Sequence, residues 1–166
     1  MKTDVMPFHF LSHGTLEDWT VRGGMRYAVP VGRVLFAAIF VIGGLGHFSS
    51  QTIGYAASHG VPLASLAVPL AGLIAIAGGL SLALGYHARI GALLIVLFLV
   101  PVTLMMHNFW AVQDPMTAQL QQAMFMKNAS MLGAALLLAY FGAGPVSLDA
   151  RAAQGAARAE PASAAR

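Results

Sequence analysis

The sequence predicts an all-α integral membrane protein, a four-transmembrane-helix bundle with both termini cytoplasmic. Three observations carry this. Of 166 residues, 58% are hydrophobic and 9% charged, with mean hydropathy +0.72, whereas a soluble domain carries about a quarter charged residues. Four apolar runs, near 31–48, 62–84, 88–106 and 123–141, are each about 17–23 residues, enough for a helix to cross roughly 30 Å of hydrocarbon. Finally, eight of the nine Lys and Arg residues fall in segments that this threading places on one side.

The N-terminal arm, 1–30, is mixed and polar, with Glu17, Asp18, Arg22 and Arg26. It does not read as a cleavable signal, so the run from Val31 is expected to be retained as a span. None of the four runs alternates with period two, and strands of a membrane barrel are far shorter. Helices also satisfy their own backbone hydrogen bonds, as lipid requires. Lys2, Arg22, Arg26 and Arg33 flank the first span, Arg89 lies in the second connection, and Arg151, Arg158 and Arg166 lie in the tail. The connections 49–61 and 107–122 carry none. By the positive-inside rule the arginine side is cytoplasmic. Tyr27, Tyr86 and Tyr140 mark that interface, and Phe48, Tyr55, Phe109 and Trp110 the other.

Within the first connection, Ser49-Ser50 caps a short helix through His59, closed by Gly60 and stopped by Pro62. Ala67, Ala71, Ala75, Gly79 and Ala83 form a small-residue stripe on the second span, which lets another helix approach closely. It reads as packing within one chain, with the seam of a homo-oligomer as the alternative. Pro101 kinks the third span. Asp114-Pro115 reads as an N-cap followed by proline at the first helical position, so the fourth helix starts well before its apolar run. The tail, 146–166, is Ala- and Arg-rich without apolar periodicity and is expected to be disordered.

The ninth basic residue, Lys127, breaks the charge rule and is the first pointer to a site. From a rise of 1.5 Å per residue, His47, His107 and Lys127 lie about 21, 27 and 25 Å from the arginine side. Asn108 and Asn128 stand beside two of them, and Asp114 is the only acid in these far segments. Two readings of Lys127 compete. It snorkels to headgroups, or it holds an anionic partner, with Asp114, a lipid phosphate or a ligand as candidates, since ionisable groups at membrane depth are costly. Asn128 and Gln121 share a helix face, as do Lys127 and Ser130, so this polar stripe is expected to face the bundle interior. His47 and His107 without a carboxylate in the spans argue against a metal or haem site. The chain has no Cys, which excludes disulfides and thiolate chemistry. No basic cluster is interleaved with aromatics, which sets nucleic acid aside.

The pattern resembles the DoxX family of small bacterial membrane proteins over about 30–145. The resemblance is carried by Arg33, Gly46-His47-Phe48, Ser58-His59-Gly60-Val61-Pro62, Gly72, Gly78-Gly79 and Gly85. Its most specific parts are His107-Asn108-Phe109-Trp110 and Phe125-x-Lys127-Asn128 with Gly133. It implies a four-helix bundle in the bacterial plasma (inner) membrane, associated with oxidoreductase complexes, one relative being the membrane subunit of a thiosulfate:quinone oxidoreductase. It carries over His47, His107, Asn108, Trp110, Lys127 and Asn128 as motif positions. Ala75 stands where many relatives have a Glu, so a proton-handling role for that acid does not transfer.

Together these readings give a redox-associated subunit with a quinone or oxyanion pocket near the far face. In that reading Lys127 supplies charge, Asn108 and Asn128 hydrogen bonds, and Trp110 an aromatic wall. Quinone is the expected cofactor, and a soluble or membrane oxidoreductase subunit the expected partner beside the lipid bilayer. The sequence holds no self-contained catalytic motif. A small-solute transporter or channel is a second reading, although the arginine-side halves of all four spans are apolar. A structural subunit in which Lys127 merely pairs with Asp114 is a third.

Overall fold

The computed structural model describes residues 27–159; the N-terminal arm up to 26, and 160–166, lie outside the described residues. Four helices are long and apolar enough to cross a membrane. They are α1 (Ala28–Gly46), α3 (Ala64–Leu84), α4 (Ala88–Met106) and α5 (Pro115–Phe141). A short α2 (Ser50–Ser58) joins α1 to α3, and a 3-10 turn (Phe109–Ala111) precedes α5. The protein is thus an all-helical, multi-pass membrane bundle. Large apolar side chains such as Leu35 (71% exposed) and Ile42 (70%) stand on its outside, an arrangement that suits lipid rather than water.

The local signals explain the helix ends. Ser49 Oγ accepts from the Thr52 amide at 3.2 Å and starts α2. Asp114 Oδ2 accepts from the Thr117 amide at 2.8 Å and the Thr117 hydroxyl at 2.6 Å and starts α5. The Thr117 hydroxyl, then its amide, hold the Asp114 carboxyl below the usual carboxylate range. As one 27-residue helix, α5 is about 40 Å long and outruns the hydrocarbon, so its first turns project beyond it. Both α3 and α4 contain an internal proline, Pro69 and Pro101.

The spans pack as a row rather than a ring. α1 packs on α3, α3 on α4, and α4 on α5, with α2 resting on α3. Two faces of α3 make this possible. A Cβ at Gly72 would stand 2.7 Å from His47 Cβ and 2.8 Å from the Gly44 carbonyl; one at Gly78 would stand 2.9 Å from the Gly91 carbonyl. Only hydrogen fits at such approaches. Ala37, Phe40, Ala75, Leu82, Ile95 and Leu99 fill the core. α1 and α5, the two ends of the row, make no comparably broad contact.

That seam is closed at the arginine end. Arg33 is 3% exposed. Its Nη1 donates to the Ala143 carbonyl and its Nη2 to the Val146 carbonyl at 2.9 Å. The chain leaving α5 is thereby tied to the start of α1.

The expectation of a tail disordered from 146 is corrected here. Leu148–Ala159 forms a helix, α6, whose first turn is docked on the bundle. Asp149 accepts from the His87 amide at 2.7 Å and the Ala88 amide at 3.0 Å, and its own amide donates to the Gly85 carbonyl at 2.9 Å. Ser147 Oγ accepts from the Ala150 amide at 3.1 Å. The tail therefore caps α4 from about sixty residues away in sequence. His87 has a left-handed φ of 47°, seldom held by a non-glycine residue, and the Asp149 carboxylate stabilises it there. The Ala88 amide, followed by the His87 amide and the nearby Arg33 charge, holds the Asp149 carboxyl below its ordinary value against some desolvation.

Asp149→Ala should therefore weaken α6 docking by about 1 kcal/mol, the usual worth of an N-cap. A depressed folded-state pKa contributes stability present above the unfolded value of about 3.9 and lost as pH falls through the folded one. Hydrogen exchange of the His87 and Ala88 amides should thus show unchanged protection between pH 5 and 8 and a loss only in stronger acid. Equal protection in Asp149→Ala would contradict the assignment.

Candidate functional site

Where the seam between α1 and α5 stays open, the bundle holds a hollow of about 170 Å³. It is lined from α1 by Phe40, Gly43, Gly44 and His47, from α4 by Phe98, Leu99 and Val102, and from α5 by Lys127, Asn128 and Met131, with His107 at its far edge. Four of the six sequence-derived candidates, His47, His107, Lys127 and Asn128, thus meet at one place. They come from three different elements, which no local pattern joins.

Each is held differently. His47 caps α1; its Nδ1 lies 2.9 Å from the Gly43 carbonyl. A carbonyl oxygen only accepts, so Nδ1 carries the proton and Nε2 is the nitrogen left without a partner in the chain. The Phe98 ring stands against it with centroids 5.5 Å apart. His107 Nδ1 lies 2.7 Å from Gln121 Oε1, which fixes the imidazole at the level of the second α5 turn. Asn128 is 4% exposed. Among the described residues, neither its amide nor the Lys127 ammonium has a hydrogen-bond or ion-pair partner. Among the described residues Arg33 Nε is the one buried side-chain nitrogen or oxygen without a partner; the Asn128 amide keeps access to the hollow, and Lys127 is exposed. No acid lines the hollow, so the Lys127 charge is not neutralised there.

Two candidates fall outside. Asn108 caps the 3-10 turn with its backbone carbonyl accepting from the Ala111 amide at 2.9 Å. Trp110 is 59% exposed and packs edge-on against Phe109 and Phe125, centroids 5.2 and 5.9 Å away. It covers α5 rather than walling the hollow; Phe40 and Phe98 take that role. Asp114 is also removed as a partner for Lys127. Both stand on the continuous α5, and positions 114 and 127 are about 20 Å apart along its axis, several times the reach of a lysine. The structural reading built on that pair is corrected on this ground.

Sequence reasoning missed Gln121 as the His107 partner, although its heptad spacing from Asn128 put both on one face. It missed Phe98 entirely, since an apolar residue in an apolar run carries no signal. Among the described residues no three His, Asp or Glu side chains converge.

Comparison with known proteins adds the following. The DoxX family profile matches residues 28–108. Over 123 residues the chain is 30% identical to Inner membrane protein YphA of Escherichia coli (strain K12), covering 73% of this chain and 87% of that protein. Over 123 residues it is 32% identical to Inner membrane protein YqjF of the same organism, covering 73% and 88%. No solved structure matches the chain.

Proposed function

Because the chain belongs to the DoxX family, we propose that it is a multi-pass inner-membrane protein serving as a redox-associated subunit. Its α1–α5 hollow binds the acceptor-bearing group of a small ligand, a quinone ring or an oxyanion. The redox association follows from the family resemblance. One observation supports the ligand site: the exposed Lys127 and the Asn128 amide, without partners among the described residues, line one hollow with His47 and His107. In this reading the Lys127 ammonium donates to a carbonyl or anionic oxygen, Asn128 orients the same group, and His47 Nε2 accepts from a hydroxyl. With the arginine end cytoplasmic, as the Lys and Arg asymmetry predicts, the hollow opens in the periplasmic half of the bilayer.

Transport across a single chain is less well supported. Ala37, Leu82, Ile95 and Ala135 are fully buried and fill the arginine-side half of the bundle. This leaves an ion or solute no polar route through it.

Titration of the nanodisc-embedded protein with a short benzoquinone and with thiosulfate tests the proposal. Lys127→Ala should weaken binding of whichever binds by about 10–100-fold, the worth of a hydrogen bond from a charged donor. Lys127→Arg should retain part of the affinity. Affinity unchanged in Lys127→Ala would remove the hollow as the site.

A further inference from the structure

We infer that the arginine end carries a second site, for the head group of a phospholipid that bears a primary ammonium beside its phosphodiester, with the phosphate on Arg89 and the ammonium on Asp149. It is independent of the hollow at Lys127, which lies about 21 Å away along α5.

Between the start of α4 and the end of α5 the bundle leaves a hollow of about 420 Å³, whose lining includes His87, Arg89, Ile90, Phe141, Gly142 and Asp149. Its size falls in the usual range for a small-ligand cleft, about 300–1,000 Å³. Gly142 follows α5 with a φ of 79°, and its lack of a side chain makes room for the Arg89 stem. A Cβ there would stand 3.4 Å from Arg89 Nε. The Arg89 guanidinium is exposed and has no hydrogen-bond or ion-pair partner among the described residues. Asp149 lines the same hollow, yet the two form no ion pair. A cation and an anion thus stand apart across one cleft. The His87 and Ala88 amides each donate to one Asp149 oxygen. A carboxylate has about four acceptor sites, so it can still take a further donor. Arg33 also acts on Asp149, but it is buried and committed to the Ala143 and Val146 carbonyls.

Charge pattern and depth select the occupant. A plain anion would meet Asp149 as a like charge, and a plain cation would meet Arg89 so. A molecule carrying both signs satisfies each at once. The guanidinium matches a phosphate with two parallel N–H···O bonds. A primary ammonium brings N–H donors for the carboxylate, which a quaternary amine lacks. Ile90 and Phe141 are exposed and continue the hollow onto the lipid-facing surface, where acyl chains can lie. Tyr86 and Tyr140 are exposed close by in sequence and set this end at the level of the head groups.

The experiment titrates the full chain in detergent with phosphatidylethanolamine, phosphatidylcholine and phosphatidylglycerol of one acyl composition, counting bound lipid by native mass spectrometry. The ethanolamine lipid should bind about tenfold more tightly than the choline lipid, which keeps both charges but no N–H donor. It should exceed the glycerol lipid, which has no cation, by a similar factor. Arg89→Gln should lower its affinity about tenfold, and Arg89→Lys should retain part. Because Arg89 makes no bond within the fold, these variants keep the bundle intact. Arg158→Gln removes an exposed arginine of α6 outside the hollow and should change nothing. Asp149→Asn should erase the preference for ethanolamine over choline. Equal affinity for those two lipids, or no response to Arg89→Gln, would overturn the inference. Tighter binding of the glycerol lipid would mean a plain anion site and overturn it too. So would water-soluble phosphoethanolamine binding as tightly as the lipid, since a free zwitterion would then suffice. Lys127→Ala should leave lipid binding unchanged; a matching loss there would place the lipid in the other hollow instead.

Discussion

Arg33→Ala should release the tail helix and lower the stability of the whole bundle by about 3 kcal/mol, since two carbonyls lose a charged donor at once. The side chain is buried and forks across the Ala143 and Val146 carbonyls. Because the fork joins the start of α1 to the exit of α5, its loss opens their seam at the arginine end. Thermal unfolding in detergent should report the loss of stability. Amide exchange at Asp149, which donates to the Gly85 carbonyl, should accelerate. Arg33→Lys keeps the charge but not the planar fork, so it should restore one carbonyl and part of the stability. Unaltered exchange at Asp149 in Arg33→Ala would show that the tail is held by its own cap and not by this clamp.

Gly72→Ala should be among the most damaging single-methyl changes in the spans. The added Cβ meets His47 Cβ at 2.7 Å and the Gly44 carbonyl at 2.8 Å, both anchored to the backbone of α1. Neither can rotate away, so the two helices must part, at a cost of about 1–3 kcal/mol for such overpacking. Parting them displaces His47, which lines the hollow, so ligand affinity should fall along with stability. Gly46→Ala supplies the control. A Cβ there meets nothing within 4 Å, and alanine is the better helix former by up to about 1 kcal/mol. Melting temperatures and ligand titrations of the two variants should diverge. Matching behaviour would mean that α1 and α3 can separate without disturbing His47.

How much of this was legible in the chain differs between the fold and the site. The spans could be read because hydropathy is a local property: a run either tolerates lipid or does not. The caps at Ser49 and Asp114 could be read because a side chain two or three residues from an amide needs no partner from elsewhere. Lys127 stood out because a charge in an apolar run is conspicuous wherever the helix lies. The tail helix was not legible, because its docking rests on one carboxylate, Asp149, reaching His87 and Ala88, and not on any periodicity in the alanine-rich stretch that follows Leu148. Arg33 looked like a boundary marker, and only its fork onto Ala143 and Val146 makes it a clamp. Trp110 and Asn108 share a motif with His107 yet turn away from it, because α4 ends there and a 3-10 turn redirects the chain.

By itself, then, the sequence determined that four helices cross a membrane, where they begin, and that a polar set including Lys127, Asn128, His47 and His107 sits in their far halves. The tertiary structure alone decided that these four line one hollow while Asn108 and Trp110 do not, that the bundle is a row open between α1 and α5, and that the tail closes its other end. The physical reason is that lipid acts on each helix separately, so insertion is written along the chain. Which faces then meet depends on close approaches such as Gly72 with Gly44 and on pairs such as Arg33 with Ala143, and these exist only once the helices are packed.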